Sequence, residues 1–389
     1  MKTIELVFFD AGGGHRSAAN ALCEVARRQE RPWEMQLMNL QDHLDEMDVF
    51  RKVTGVRMQD IYNLILRRGW TLGTAQVLPL MHGIIRVYHS TQVKMLAAYW
   101  SGSNGHERPD IVVSVIPNFN RALFDAMQRA LPGVPLVTIL TDMADYPPHF
   151  WIEKQPQYFI CGTERAYRQA LGMGHPAERV FLTSGMILNP RFYEPVAVDR
   201  ERDRESLGLD PKLPLALMMF GGEGSRKMLD IARRLNAEKL EMQMIAICGR
   251  NPKLEAAMRE MPRRIPMHVE GFTREVPRFM RLADFFIGKP GPGSVSEAVA
   301  MGLPVIVESN AWTLPQERYN ARWVEERGVG IEVRNFRGQI VDAVRRMIDP
   351  EQRCDFVRRV GEINNIAVFE IPDILARILG ETAGRGGAV

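Results

Sequence analysis

The stretch Phe285-Phe286-Ile287-Gly288-Lys289-Pro290-Gly291-Pro292-Gly293-Ser294-Val295-Ser296-Glu297-Ala298 reads as strand, loop and helix in direct succession. It opens on a short apolar run, the signature of a strand buried on both faces. A glycine–proline loop follows, and then a run with apolar residues at helical spacing from Val295 to Met301. A helix start leaves its first backbone N–H groups unpaired and gathers a partial positive charge. Glycine removes the side chain that would keep an anion away from those amides. Strand, glycine loop and helix in that order describe a phosphate cradle at the carboxyl end of a parallel strand. A plain tight turn is the alternative for any one such loop.

Two more loops have the same form: Asp10-Ala11-Gly12-Gly13-Gly14-His15 and Gly221-Gly222-Glu223-Gly224-Ser225. Further apolar runs, at Ile4 to Phe9, Ile111 to Ile116, Leu136 to Leu140, Leu215 to Phe220, Met244 to Cys248, Met267 to Glu270 and Pro304 to Val307, alternate with helical patterns at Ser17 to Arg28, Asn120 to Leu131 and Arg226 to Asn236. The alternation predicts an α/β, doubly wound class. The chain's 389 residues exceed one ordinary core, so two domains facing a cleft are expected. Turn residues at Ser184 to Pro190, followed by charge from Asp199 to Glu205, place the boundary between residues 188 and 189. A second domain then runs over 189–361. The remainder, 362–389, is expected to end in a disordered tail over Gly380 to Val389.

Composition narrows the function classes. Hydrophobic residues make up 46% and charged residues 25%, average values for a globular protein, and no apolar run is long enough to span a bilayer. The start reads as a first strand, with Glu5 and Asp10 bordering its apolar run. Four scattered cysteines favour neither a disulfide framework nor a zinc site, and point to a reducing cytosol. A net charge of +3 gives no reason to expect nucleic acid as a partner. None of the glycine loops is a P-loop, and the first fails the dinucleotide pattern because its sixth position is Ser17. Glu297, placed in a first helical turn, has a carboxylate able to accept both hydroxyl hydrogen bonds of a ribose, although an acid there also simply offsets the helix dipole.

Taken together, these motifs resemble the monogalactosyldiacylglycerol synthases and the bacterial processive diacylglycerol glucosyltransferases. The carriers are Gly12-Gly13-Gly14-His15-Arg16-Ser17-Ala18-Ala19, Thr141-Asp142, Gly221-Gly222-Glu223-Gly224, Ile247-Cys248-Gly249-Arg250-Asn251, Lys289 through Ala298, Gly302-Leu303-Pro304, Pro315-Gln316-Glu317 and Asn320. The resemblance implies an inverting enzyme of the GT-B fold, two Rossmann-like domains in which the second binds a UDP-sugar and the first holds the acceptor, with the last helix crossing back to the first. It implies neither a cofactor nor a metal. By position, Glu297 would bind the ribose. Gly221, Gly222, Glu223, Gly291, Pro292, Gly293 and Ser294 would form the diphosphate loops, with Gly13 and Gly14 also on the donor side. Gln316 and Glu317 would hold the hexose hydroxyls, while Gly249, Arg250 and Phe272 would flank the uracil.

His15 would face the donor across the cleft, as general base for the acceptor hydroxyl or as a stabiliser of phosphate charge; a satisfied turn histidine is the bland alternative. Asp142 is a second candidate base, an orienter of His15, or a cap. The segment Met143 to Glu153, which includes Tyr146, keeps the layout of the family's acceptor-side loop but not its Cys-His-Pro core, and Ser184 to Pro190 departs from the usual Gly-x-Pro-Val joint.

Residues 51–100 set seven basic residues, among them Arg57, Arg67, Arg68, Arg86 and Lys94, against Asp60 alone. Tyr62, Trp70, Tyr88, Tyr99 and Trp100 are interleaved with them, the composition of a segment lying on anionic lipid or of helices covering the first sheet. The expected protein is cytoplasmic and peripheral on the inner face of the cytoplasmic membrane. Its expected substrates are UDP-galactose or UDP-glucose and diacylglycerol or another lipid acceptor, and its product a β-glycolipid. The alternatives are a GT-B transferase or epimerase acting on another acceptor, and a non-catalytic membrane-associated protein that binds nucleotide sugars. The 22 methionines fit scattered core filling better than a lipid groove.

Overall fold

A computed structural model describes residues 1–10, 13–44, 83, 85–102 and 107–385. The chain divides into two compact units between Pro190 and Arg191, and again between Asn364 and Asn365. The segment from Asn365 onward belongs to the first unit.

The first unit carries a six-stranded sheet in the order β2-β1-β3-β4-β5-β6, every neighbouring pair parallel. Its strands are β1 (Lys2–Phe8), β2 (Trp33–Asn39), β3 (Ile111–Ser114), β4 (Leu136–Ile139), β5 (Tyr158–Cys161) and β6 (Val180–Leu182). The second sheet runs β12-β11-β10-β7-β8-β9, again parallel throughout. It is built from β7 (Leu215–Met219), β8 (Gln243–Ile247), β9 (Met267–Glu270), β10 (Phe285–Gly288), β11 (Val305–Glu308) and β12 (Gly330–Val333). In each sheet the strand order reverses beside the unit's first strand, at β1/β3 and at β7/β10. Such switch points open a crevice at the carboxyl ends of the strands.

Local chemistry accounts for the elements. β7, Leu-Ala-Leu-Met-Met, is buried at every position, as a strand covered by helices on both faces must be. Among the described residues, the helices of the first unit that precede the second are α1 (Gly14–Arg28), α2 (Leu40–Leu44), α3 (His89–Ser101), α4 (Asn120–Ala130) and α5 (Glu164–Gly172). In the second unit, α6 (Arg200–Ser206), α7 (Arg226–Ala237), α8 (Pro252–Glu260), α9 (Val276–Leu282), α10 (Pro292–Ala300), α11 (Arg318–Arg327), α12 (Phe336–Ile348) and α13 (Pro350–Gly361) surround the sheet. Helix α7 is capped by Ser225, whose hydroxyl accepts from Lys227 N, and buries Met228, Ile231, Ala232 and Leu235 along one stripe. The core of this unit includes Met218, Met228, Met244 and Met258, so these methionines pack between sheet and helices.

Four strands lacked a clear signal. β6 has only 3 residues and β2 is only partly buried, so neither gives a long apolar run, while β5, as short as β3 and β4, follows the polar stretch Lys154 to Gln157. β12 starts on Gly330, whose backbone lies so close to Val305 O that an added Cβ would meet it at 2.0 Å.

Three expectations are corrected. Glu5 does not border the first strand; it lies in the middle of β1 and is 2% exposed. Its carboxylate accepts from Tyr99 Oη at 2.8 Å and Trp100 Nε1 at 2.6 Å. Tyr99 and Trp100 are therefore internal partners of a buried acid and not interfacial aromatics. The charged run 199–205, which helped to place the boundary, forms a helix, α6, capped by Asp199, with most of its charged side chains exposed. Its Arg204 is buried, with Nη2 2.9 Å from Asp284 Oδ2 and further bonds to the Leu282 and Pro211 carbonyls. The last helix, α14 (Ala367–Arg385), extends five residues beyond the expected start of disorder at Gly380. Its earlier turns bury Val368, Ile371, Leu375 and Ile378, and once a helix is nucleated by docking, each added residue costs little. Gln29 Nε2 donates to Phe369 O, Arg31 pairs with Asp373, and Glu370 accepts from Ser184, all within the first unit.

Candidate active site

In the first unit, Gly13 precedes α1 with φ +77°, a left-handed conformation that suits glycine, and Gly14 is the first helical residue. His15 follows as the second, at the β1/β3 switch point. Its Nδ1 lies 2.7 Å from Val115 O and 3.2 Å from Thr141 Oγ1. A carbonyl oxygen only accepts, so Nδ1 carries the proton and Nε2 keeps its lone pair. Desolvation lowers the ring's pKa to about 4, against the raising effect of the Val115 bond. His15 is thus a neutral imidazole with an assigned tautomer.

The indole of Trp151 stands beside it, ring centroids 6.0 Å apart. Trp151 is fully buried, and its Nε1 donates to Asp142 Oδ2 at 2.9 Å. Asp142 therefore stands next in chain to the threonine that touches His15, held by the tryptophan that packs on it. Asp145 organises the segment by accepting from Trp151 N at 2.7 Å and His149 N at 3.1 Å. Tyr146 is an exposed side chain on the same segment. The positions Arg57, Arg67, Arg68 and Trp70, and Gly12 of the first loop, lie outside the described residues.

The other donor-side residues all belong to the second unit. Gly221, Gly224 and Gly249 have φ values of +76°, +62° and +61°. A Cβ on Gly224 would stand 2.3 Å from Cys248 O, and one on Gly249 2.3 Å from Gly222 O. The loops after β7 and β8 thus interlock through bare backbone, with Arg250 N bonded to Gly222 O at 2.8 Å. Beside them, Gly291 caps α10, Pro292 and Gly293 open it, and the Ser294 hydroxyl returns to Gly291 O. Space at Gly293 is open: a Cβ there would meet nothing within 4 Å. Asn320 Nδ2 fixes this loop through Pro290 O at 2.8 Å.

Glu297 falls in the second turn of α10 and not the first, because the helix begins at Pro292. Its distance from the helix start removes most of the favourable dipole contact. Burial raises its pKa to about 7, with Arg191 opposing. Arg250 lies over the exposed Phe272 ring at 4.2 Å, with Glu223 at 3.7 Å. Gln316 and Glu317 occupy the single 3-10 turn Pro315–Glu317. Glu317 Oε1 is 3.2 Å from Lys289 Nζ, and the buried Gln316 Oε1 has no hydrogen-bond partner.

Sequence motifs contain Lys289 and Thr141 without giving either a role. A cation at the last step of a strand before a glycine loop is the signal that could have singled out Lys289.

Residues 217–356 match the glycosyltransferase family 28 C-terminal domain. A probable monogalactosyldiacylglycerol synthase 2, chloroplastic, of Oryza sativa subsp. japonica is 28% identical over 349 residues, covering 85% of this chain and 70% of that protein. Monogalactosyldiacylglycerol synthase 2, chloroplastic, of Arabidopsis thaliana is 26% identical over 400 residues, covering 93% and 81%. The second unit carries a glycosyltransferase family 28 C-terminal domain, and the chain is a UDP-sugar-dependent glycosyltransferase. Among solved structures, MurG of Acinetobacter baumannii superposes on this transferase with a TM-score of 0.61 at 12% identity, covering 97% of this chain and 100% of that one. Anabaena HepE in complex with UDP-glucose gives 0.53 at 15% identity, covering 97% and 99%. At such identities the likeness bears on architecture, and the fold is GT-B, two Rossmann-like units.

Proposed function

We propose that this glycosyltransferase moves a hexose, galactose or glucose, from a UDP-sugar to diacylglycerol or a related lipid, with inversion at the anomeric carbon. His15 Nε2 takes the proton of the acceptor hydroxyl, the oxygen attacks the anomeric carbon, and the bond from that carbon to the UDP oxygen breaks. An α-linked donor then yields a β-glycoside. The observation that carries this reading is the neutral His15, with Nδ1 engaged by Val115 and Nε2 left with its lone pair at a switch point. Asp142, one residue from Thr141 and bonded to Trp151, is assigned the positioning of this group.

On the donor side, Glu297 accepts the ribose hydroxyls, and Arg250 with Phe272 holds the uracil. The amides of Gly221, Gly222 and the start of α10 take the diphosphate, with Lys289 as countercharge. Gln316 Oε1, buried and unpartnered, and Glu317 accept from the hexose. The lipid acceptor is supported by relatives named as monogalactosyldiacylglycerol synthases. Among the described residues no helix is long and apolar enough to cross a membrane. The proposed contact with an anionic surface is peripheral and assigned to Arg57, Arg67, Arg68 and Trp70, with Tyr146 beside the acceptor.

The test is UDP release by purified protein given UDP-galactose or UDP-glucose, with and without diacylglycerol in mixed anionic micelles. Release requiring both donor and diacylglycerol, and lost in His15→Ala, is the expected result. UDP binding without diacylglycerol-dependent release would overturn the acceptor. Release of UDP with a rearranged free sugar and no lipid product would favour an epimerase.

A further inference from the structure

Lys289 stands where the two phosphate-type loops of the second unit meet. It follows β10 directly, and its Cε lies 3.5 Å from where a Cβ on Gly221 would be and 3.3 Å from one on Gly291. Its Nζ nevertheless points to a carboxylate, 3.2 Å from Glu317 Oε1. The Glu317 side chain is only 12% exposed, so it is a largely desolvated anion whose counter-ion among the described residues is Lys289. Glu317 also reaches the loop itself, with Oε1 3.7 Å from the position of a Gly291 Cβ. One cation therefore serves two anionic positions, the carboxylate present now and the diphosphate the loops are shaped to receive. A single ammonium can donate to both only if the geometry brings them together, and a buried carboxylate losing its partner carries a heavy penalty.

Building on the donor assignment above, we propose that Lys289 and Glu317 form an ion-pair exchange that makes the site discriminate the intact UDP-sugar from UDP. When diphosphate enters the loops, Lys289 turns from Glu317 toward it. With a UDP-hexose, the freed carboxylate accepts hydroxyl hydrogen bonds from the sugar, beside Gln316, and stays compensated. With UDP alone no sugar hydroxyl is there, so Glu317 competes with the phosphate for the lysine. After transfer the same competition weakens the hold on UDP and speeds its release. Glu317 is in this scheme both a hexose-recognition residue and the element that limits product inhibition.

Titration calorimetry of the full chain with UDP and with UDP-glucose or UDP-galactose, in the wild type, Glu317→Gln and Lys289→Met, tests the exchange. The glutamine keeps the shape but no longer draws the lysine. Glu317→Gln is expected to bind UDP about tenfold tighter while binding UDP-hexose no tighter, so the preference for donor over product collapses and UDP becomes a stronger inhibitor. Lys289→Met is expected to weaken UDP and UDP-hexose together. If Glu317→Gln loses UDP-hexose affinity with UDP affinity unchanged, the carboxylate only recognises sugar and the exchange is overturned. A fall in both affinities in that variant overturns it as well. Failure of the donor assignment has a different signature, wild-type protein that binds neither ligand. Should Glu317→Gln not fold, UDP affinity in Glu317→Asp, whose shorter carboxylate cannot hold the lysine as closely, gives the same reading.

Discussion

The two six-stranded parallel sheets present the same kind of crevice and furnish it in opposite ways. At β7/β10 much of the wall is backbone: Gly221, Gly224 and Gly249 with positive φ and two loops interlocked through bare backbone, with Lys289 and Arg250 as the cations beside them. At β1/β3 a side-chain relay fills the corresponding place, His15 held by Val115 and Thr141 and packed by Trp151, which in turn holds Asp142. Backbone amides suit a ligand part that is always the same, a diphosphate. Side chains with an assigned tautomer suit chemistry on a proton. The contrast predicts that damage to the first unit lowers turnover while damage to the second lowers donor affinity.

The sharpest way to break that division is His15→Ala. Loss of general base catalysis is expected to lower kcat by about 10²–10⁴-fold, with the UDP dissociation constant unchanged in calorimetry. A comparable loss of UDP affinity would mean that His15 belongs to the donor side, as a phosphate ligand, and the division would fall. Next in size is Gly249→Ala. Its Cβ would collide with Gly222 O at 2.3 Å, in a backbone conformation L side chains rarely adopt. Strain of about 1–3 kcal/mol in the loop that carries the amides corresponds to roughly 5–150-fold weaker UDP binding, with kcat at saturating donor largely kept. Equal losses in kcat and in UDP binding would show that the loop also orders the chemistry.

This division also governed what could be read from sequence. The second sheet announced itself, because glycine loops between apolar strands are a local pattern, and Phe285 through Ala298 contains strand, loop and helix in one piece. In the first, three strands, the glycine loop and His15 were legible, but the partners that hold His15 were not. Thr141 and Trp151 are far from His15 in sequence, and only the parallel stacking of β1, β3 and β4 brings their loops together. Glu5 shows the same limit from the opposite side: an acid in an apolar run reads as an edge, because its partners Tyr99 and Trp100 lie more than ninety residues away. The misplacement of Glu297 has a local cause. Apolar residues at helical spacing begin only at Val295, which puts Glu297 in a first turn, whereas Pro292, well suited to a first helical position, starts the helix earlier.

A smaller effect is expected from Trp151→Phe, which keeps an aromatic ring beside His15 but removes the N–H that reaches Asp142 Oδ2 at 2.9 Å. A buried carboxylate deprived of a donor costs about 1–3 kcal/mol of stability. If Asp142 positions the His15 group, kcat falls about tenfold while UDP affinity stays constant, the relative size of second-partner effects on a reacting group. Unchanged kcat with a lower melting temperature would reduce the Trp151–Asp142 bond to a structural one.

The gentlest probe is pH, and there the two units should respond with opposite sign. His15 has its pKa lowered to about 4 by desolvation, so the folded protein resists protonating it. Its contribution to stability is complete above the ordinary histidine value near 6.5 and is lost as the pH falls toward 4. The acid limb of kcat/KM should accordingly lie well below pH 6, provided donor is saturating. Glu297, with its pKa raised to about 7 by burial, behaves in reverse. It favours the fold below the ordinary carboxylate range, and that contribution is lost as pH rises through 7. Two ribose hydroxyls donating to it favour the ionised form, so UDP binding should release protons near pH 7 and tighten several-fold between pH 6 and 8. Glu297→Gln removes the titrating group and should flatten that dependence while leaving the acid limb of turnover where it was. A pH-independent UDP affinity in the wild type would mean that Glu297 is not the ribose partner, and would leave its buried carboxyl to be explained by packing alone.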